Sequence, residues 1–184
     1  HHAQKILAIF AAMRAFAREL GAAGHTVDYL AIDDPANRQS LPGNLDALIA
    51  RHRIEHFEYQ APDEWRLDRQ LADYAAGLAI PAQAVDSEHF FTRRDEAAAF
   101  FGTRQRWTME PFYRHLRQRH GILMAGPATP QGGRWNFDAE NRKAWPGTPP
   151  APADWRDGHD HAALWHSIEA AGVASFGNPD AADL

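Results

Sequence analysis

The chain has 184 residues, a net charge of −5 and 45% hydrophobic residues, which suits one domain of ordinary size and argues against a broadly basic nucleic-acid binder. It contains no cysteine, which excludes disulfides, a thiol nucleophile, a zinc ribbon and an iron–sulfur cluster ligated within these residues. No apolar run reaches membrane-spanning length and no secretory signal is visible, so we expect a cytoplasmic protein without membrane partners.

The first predicted element is an amphipathic helix that begins within a few residues of His1. Apolar residues recur at spacings of three and four from Ile6 to Leu20, and Gly21 and Gly24 follow as stop signals. Because a helix starts this early and no initiator Met precedes it, we expect upstream sequence to be absent. The alternative is that the two leading histidines are the remnant of a tag.

Short strands and helices alternate after the first helix. Each strand segment lies between turn signals, and each helix segment has an apolar face at helical spacing. Such alternation implies right-handed crossovers and a parallel sheet covered by helices on both faces, which predicts an α/β fold. The predicted strands cover residues 25–32, 55–59 and 81–85, and the predicted helices cover residues 41–53 and 65–78.

The second half of the chain is helical at first and irregular later. Helices are predicted over residues 93–101 and 107–120, and a last helix over residues 162–171. Proline and glycine dominate from residue 129 onward, and residues 145–152 have the composition of a linker.

Residues 132–142 stand out because they contain no aliphatic side chain larger than alanine. Such a segment cannot be stabilised by ordinary core burial, so we expect Trp135 and Phe137 to anchor it and its charged groups to pair. The residues predicted to form ion pairs within the amino-terminal part of the chain are Arg134, Asp138, Glu140 and Arg142.

Five stretches occur in the order found in one protein family: residues 9–20 (IFAAMRAFAREL), 32–34 (IDD), 64–66 (EWR), 109–114 (MEPFYR) and 132–142 (GGRWNFDAENR). On these stretches the chain resembles the amino-terminal region of the photolyase-related proteins, the iron–sulfur bacterial branch of the cryptochrome/photolyase family. The resemblance runs from His1 to about Lys143.

The resemblance implies a piece of a larger flavoprotein. Family members join an α/β antenna domain through a long linker to a helical carboxy-terminal domain that holds FAD and a 4Fe-4S cluster, and they repair ultraviolet photoproducts in DNA, typically of the 6-4 type. By resemblance, residues 1–126 are the antenna-type domain and residues 127–184 the interdomain linker region. FAD, the cluster, damaged DNA and the lyase activity would belong to the complete protein, and we expect no catalytic residue in this segment.

The resemblance also predicts an incomplete sheet. Family members begin with two further strands, which sit centrally in a Rossmann-like doubly wound parallel sheet. The strand predicted at 25–32 would then be separated by a gap from the strands at 55–59 and 81–85. We therefore expect that these three strands do not form one continuous sheet.

An antenna chromophore is the ligand that the resemblance implies. Relatives hold 6,7-dimethyl-8-ribityllumazine, which passes absorbed excitation to FAD and needs an apolar slot and hydrogen bonds for its ribityl chain. Relatives tend to have Glu-Pro-Gly-Glu in the contacting loop, so the alanine here removes a carboxylate and the aspartate adds a side chain. The residues implied as contacts are Ile9 and Met13 on the first helix and Ala61, Pro62, Asp63 and Glu64 in the loop after the second strand.

Each candidate also has an interpretation without a ligand. Ile9 and Met13 fit core packing, and Glu64 fits a surface ion pair with Arg66. The arginines of residues 104–119 fit either a phosphate-binding surface or a solvated helix face. The histidines within residues 159–166 are not spaced to share one helical face, so we predict no metal site.

Two other functions stay open beside the antenna part of a photolyase. One is a cryptochrome-like blue-light photoreceptor domain, and the other is a non-catalytic α/β binding module. A repair photolyase and a photoreceptor differ in the flavin domain, so the residues of this chain do not distinguish repair from signalling.

Overall fold

The computed structural model describes residues 1–142, 144, 147–150, 153 and 158–181, apart from the side chain of Glu140. The chain divides into two compact units, His1–Glu55 with Ala151–Leu184, and His56–Pro150. The first unit contains α1 (Ala3–Ala22), α2 (Leu41–His52) and α7 (Ala162–Ala170). The second unit contains β1 (Phe57–Gln60), α3 (Trp65–Ala76), β2 (Ala82–Val85), α4 (Glu96–Phe101), α5 (Met109–His120), a 3-10 turn (Gln131–Gly133) and α6 (Asp138–Asn141).

The first unit is organised around contacts between α1, which was predicted from apolar spacing, and α7, which corresponds to the last expected helix. Ile6 and Leu7 of α1 pack against Leu164 and Ile168 of α7 in a buried aliphatic cluster. Burying side chains of this size contributes about 1.5–3 kcal/mol each. The helices are more than a hundred residues apart in sequence, so this core depends on a long-range contact.

Hydrogen bonds hold the start of α1 to the segment after α7. The amide of Ala3 donates to the carbonyl of Phe176 at 2.8 Å, and the amide of Phe176 donates to the carbonyl of His1 at 3.1 Å. The amide of Asp180 donates to Oε1 of Gln4 at 2.6 Å. The first of these bonds supplies a partner for the Ala3 amide, which has none within the helix, and the other two satisfy amides of the segment after α7.

Residues 25–32 were predicted to form a strand, and that prediction is wrong. The segment has no strand structure, although it contains the β-branched and aromatic residues that strands favour. A strand requires a ladder of hydrogen bonds to a neighbouring strand, and composition alone does not provide that neighbour.

The second unit contains the predicted parallel pair. β1 and β2 align in register from Phe57 opposite Ala82 to Gln60 opposite Val85, and α3 lies between them in sequence with Leu71 buried. This βαβ arrangement confirms the α/β class for these elements. In the part of the chain that the structure describes, the sheet has two strands; because residues 25–32 form no strand, the gap expected between that strand and the other two stays a prediction. The doubly wound sheet stays a prediction.

An aromatic cluster joins α4 to α5 in the same unit. Phe101 and Phe112 are buried, and the ring of Trp107 stacks on Phe101 with centroids 5.0 Å apart. Gly121 ends α5 with a positive φ of 65°, a conformation that glycine adopts without a steric penalty. This confirms the predicted end of the helix.

The predicted linker at 145–152 lies partly outside the described residues, which omit 145, 146, 151 and 152. The division into residues 1–126 and 127–184 stays a prediction. Among the helices of the described residues, none combines the length and apolarity needed to cross a membrane.

Candidate ligand site at the carboxyl edge of the parallel strands

The two candidates on α1 do not belong to the buried cluster of the first unit. Ile9 is 49% exposed and Met13 is 54% exposed, and Phe16, one turn further on, is 62% exposed. The three side chains recur at spacings of four and three, so they form an apolar stripe on one helix face. Core packing within the unit therefore does not account for Ile9 and Met13.

The candidate loop at residues 61–64 follows β1 directly. The amide of Ala61 donates to the carbonyl of Val85 at 2.8 Å, which continues the parallel ladder into the loop. Ala61 and Pro62 are half-buried, whereas Asp63 and Glu64 are exposed. In parallel α/β sheets, ligands bind outside the carboxyl ends of the strands, and the two carboxylates lie at that edge.

Glu64 caps the first turn of α3. Its Oε2 accepts from the amide of Leu67 at 2.9 Å, and its Oε1 accepts from Nε of Arg66 at 2.8 Å. The pKa of Glu64 is lowered, first by the Arg66 hydrogen bond and then by the Leu67 and Arg66 amides. The predicted ion pair with Arg66 is confirmed. The capping role was missed because glutamate is not among the usual N-cap residues.

Arg94 ties the loop to α3. Its Nη1 donates to Oδ1 of Asp68 at 2.7 Å, and its Nη2 donates to the carbonyl oxygen of Pro62. The pKa of Arg94 is raised, chiefly by the hydrogen bond to Asp68. One planar guanidinium therefore joins the candidate loop to the first turn of α3.

A second set of contacts joins the loops that follow β1 and β2. Nδ1 of His89 lies 2.8 Å from Oδ2 of Asp63, and Nε2 of Gln60 donates to the carbonyl of Ser87 at 3.0 Å. Sequence reasoning missed both His89 and Arg94. Their partners lie 26 and 32 residues away, and no local pattern shows a contact over that separation.

The first unit has an open cleft of about 1270 Å³ along another part of α1. It is lined by alanines and two arginines of α1, by residues of 25–31, and by residues 159–161 with the start of α7, whereas Ile9 and Met13 do not line it. The rings of His159 and His161 lie 6.0 Å apart by centroid. Within the described ranges, no three His, Cys, Asp or Glu residues are grouped to hold a metal.

Trp135 lies against two arginines of α5. The guanidinium carbons of Arg114 and Arg117 lie 5.5 and 5.3 Å from its ring centroid, and the indole is half-buried. This confirms that Trp135 anchors the segment at 132–142. The guanidinium of Arg134 lies 4.4 Å from the ring centroid of Phe137.

The ion pairs expected around this segment stay a prediction, because the side chain of Glu140 lies outside the described part of the chain. An observed polar contact instead joins Nδ2 of Asn136 to Oε2 of Glu110 at 3.3 Å. The pKa of Glu110 is lowered by its hydrogen bond to Arg114 and then by Asn136.

Three arginines of α5 have partners within the second unit. Arg114 pairs with Glu110, and Arg119 pairs with Glu96 at 2.8 Å. Arg117 is buried and donates to the carbonyls of Ile122 and Leu123. These contacts favour a structural role over a phosphate-binding surface, because the guanidinium groups already have acceptors.

Comparison of the sequence with known proteins identifies a matching family and a similar protein. The family described as deoxyribodipyrimidine photo-lyase-related protein matches residues 1–184. A "(6-4) photolyase" of Agrobacterium fabrum (strain C58 / ATCC 33970) is 38% identical over 143 residues. The match covers 78% of this chain and 28% of that relative, so the matched region spans less than a third of the relative's length.

Proposed function

We propose, since this chain belongs to the deoxyribodipyrimidine photo-lyase-related protein family, that it is the antenna-domain part of a light-dependent DNA-repair photolyase. The name of its Agrobacterium relative supports a 6-4 photoproduct as the lesion. Repair, contact with damaged DNA and a doubly wound sheet are parts of this proposal that concern the complete protein.

The proposal assigns FAD and a 4Fe-4S cluster to the rest of that protein. Clusters of this kind are held by cysteine thiolates, and this chain has no cysteine, so its residues do not fit the cluster. The role left to the chain is to bind an antenna chromophore, for which 6,7-dimethyl-8-ribityllumazine is our candidate. When bound, this chromophore supplies light absorption and energy transfer to FAD.

The loop at 61–64 is the observation that carries the proposed site. It places two exposed carboxylates, Asp63 and Glu64, at the carboxyl edge of the parallel strands. Carboxylates accept hydrogen bonds from hydroxyl groups, and a ribityl chain presents several. Because transfer between two chromophores depends on their mutual orientation, a loop that is tied in place suits this role better than a mobile one.

Apolar contacts for a ring system are available in the first unit. Ile9 and Met13 are exposed there rather than buried in the aliphatic cluster, and apolar side chains with a few polar groups are typical of small-molecule sites. We propose these side chains as apolar ligand contacts, to be tested separately from the loop.

A binding titration tests the antenna role. The 184-residue chain would be titrated into 6,7-dimethyl-8-ribityllumazine and followed by fluorescence anisotropy, with riboflavin as a ligand that shares the ribityl chain but has a larger ring. We expect saturable lumazine binding that Asp63→Ala weakens by about tenfold, the factor typical of a lost hydrogen bond to a charged group. The matched control is Asp46→Ala on α2. Absence of binding, or equal affinity of the two variants, would contradict the proposed site.

Repair is tested on the complete protein. Blue light should remove 6-4 photoproducts from an irradiated oligonucleotide, and no removal should occur in the dark. A light-dependent spectral change without lesion removal would contradict the repair proposal and favour a cryptochrome-like photoreceptor.

A further inference from the structure

We infer that Arg94 is a positioning residue for the loop at 61–64, which it holds in the shape that contacts the ligand. The inference rests on the proposed antenna function and adds to it a residue that lies 30 positions beyond the loop. Arg94 is not itself proposed to contact the chromophore.

One hydrogen-bond acceptor of Arg94 lies on α3, and the other lies in the loop at 61–64. The carboxylate of Asp68 stands on the first turn of α3, and its side chain is only 26% exposed. The carbonyl of Pro62 belongs to the loop itself. Because the guanidinium is planar and its N–H groups have fixed directions, donation to both acceptors fixes the orientation of the Pro62 carbonyl relative to α3.

The orientation of that carbonyl determines where the next residues point. The carbonyl carbon of Pro62 is bonded to the amide of Asp63 in one planar peptide unit, so holding the oxygen also holds the start of the Asp63–Glu64 segment. At the carboxyl end of the loop, the carboxylate of Glu64 accepts a hydrogen bond from the Leu67 amide. The loop is therefore restrained on both sides of its two exposed carboxylates.

Three carboxylates near Arg94 attract its guanidinium and so favour its position beside the loop and α3. Asp63 and Asp86 add smaller coulombic attractions to the hydrogen bond with Asp68, and all three raise the pKa of Arg94. The side chain of Arg94 is 54% exposed, and exposed ion pairs contribute little to global stability. The expected consequence of removing it is a loosened loop in a chain that stays folded.

The neighbouring arginine provides a matched control. Arg93 forms an ion pair with Asp95 at 3.4 Å, and both side chains are 74% exposed. It carries the same charge one residue away, and its ion pair is made with Asp95 rather than with the loop. Loss of Arg93 therefore reproduces the change in net charge without removing the hydrogen bonds from Arg94 to Asp68 and Pro62.

Three variants, Arg94→Ala, Arg94→Lys and Arg93→Ala, test the inference by two independent readouts. Amide hydrogen exchange reports the order of residues 63–67, and the lumazine titration reports the affinity. We expect Arg94→Ala to speed exchange there by about fivefold and to weaken binding by about tenfold. Arg93→Ala should stay within about twofold of the unchanged chain in both readouts.

The lysine variant separates geometry from charge. An ammonium keeps the charge but lacks the planar fork, so Arg94→Lys should restore less than about half of the lost exchange protection. Complete restoration by lysine would overturn the inference, as would equal exchange in Arg94→Ala and Arg93→Ala.

The two readouts also distinguish this inference from the proposed function. If the unchanged chain and Arg94→Ala bind lumazine equally well, the positioning role is overturned and the antenna function stands. If the unchanged chain does not bind lumazine, the antenna function fails and with it the ligand role of Arg94. Faster exchange in Arg94→Ala would then support only the tie between the loop and α3.

Discussion

Each of the two units of this protein is stabilised by a different kind of internal contact. The first unit has an aliphatic core between α1 and α7, which lie at opposite ends of the described sequence. The second unit joins elements that are close in sequence through a parallel strand pair, an aromatic cluster and arginine contacts. The described contacts of the first unit thus join segments far apart in sequence, and those of the second unit join segments closer in sequence.

This difference bears on where a ligand site can be held rigidly. The candidates on α1, Ile9 and Met13, lie on an exposed helix face outside the buried aliphatic cluster. The candidate loop of the second unit is restrained by side chains of Arg94 and His89. A fixed polar site is therefore expected in the second unit, and adaptable apolar contacts in the first.

Leu7→Ala is the change expected to have the largest effect. Leu7 is fully buried between α1 and α7, and truncating a buried leucine costs about 2–5 kcal/mol in transfer free energy and cavity formation. We expect lost protection of α1 and α7 amides in hydrogen exchange, together with a lower urea midpoint for the first unit.

Phe16→Ala is the control for this prediction. Phe16 lies on the same helix but is 62% exposed, so its removal should change the free energy of unfolding by no more than about 0.5 kcal/mol. Equal destabilisation by the two substitutions would contradict an aliphatic core between α1 and α7.

Trp135→Ala should have an intermediate effect, confined to the second unit. The indole contacts two guanidinium groups, and each such contact contributes about 0.5–1 kcal/mol, so we expect a loss of about 1–2 kcal/mol. Thermal unfolding followed by circular dichroism measures it. Trp65→Ala is the control, because Trp65 is 71% exposed with one arginine 5.6 Å from its ring.

If the chain is the antenna part of a complete flavoprotein, as proposed, Trp135→Ala should weaken the docking of that part more than it changes flavin chemistry. The reason is that the indole is anchored by Arg114 and Arg117 of its own unit. Unchanged thermal stability together with lost flavin photoreduction would show that this assignment is wrong.

The acid dependence of the α3 cap should be the smallest effect. The folded-state pKa of Glu64 lies below its ordinary value of 4.5, so the stabilisation is fully present above that pH. It is lost as the pH falls through the lower, folded-state pKa. Protection of the Leu67 amide, corrected for intrinsic exchange, should therefore decrease on acidification below about pH 4.5.

Glu64→Gln distinguishes charge from hydrogen bonding in this cap. The amide oxygen of glutamine can still accept from Leu67, but it does not titrate in this range. The variant should therefore show no acid-dependent loss of protection at Leu67. The same pH dependence in both proteins would assign the titration to another group.

Several helices and strands were predicted correctly from the sequence, and one predicted strand was not found. α1 and α5 were predicted because apolar residues at helical spacing and a following glycine are local signals. β1 and β2 were predicted from strand composition beside a helix, and their parallel pairing followed from the crossover rule. Residues 25–32 carry the same composition and form no strand, because pairing also requires a neighbouring strand.

The candidate site shows the same limit. The loop at 61–64 was predicted by resemblance and by its place after a strand, and Glu64 was expected to pair with Arg66. The contacts of Arg94 and His89 with that loop were not predicted. Each side chain lies on a distant segment, and its reach depends on how β2 and the following loop are placed by the fold.

The sequence by itself determined the periodic elements, the absence of cysteine chemistry and the family to which the chain belongs. The periodic elements depend on spacings within about ten residues, the lack of cysteine chemistry depends on composition, and the family depends on the order of short stretches along the chain. Only the tertiary structure decided that Leu7 is buried while Ile9 is exposed, and that one arginine restrains the candidate loop. The physical reason is that burial and side-chain contacts depend on which distant segments come together, and local spacing does not encode that choice.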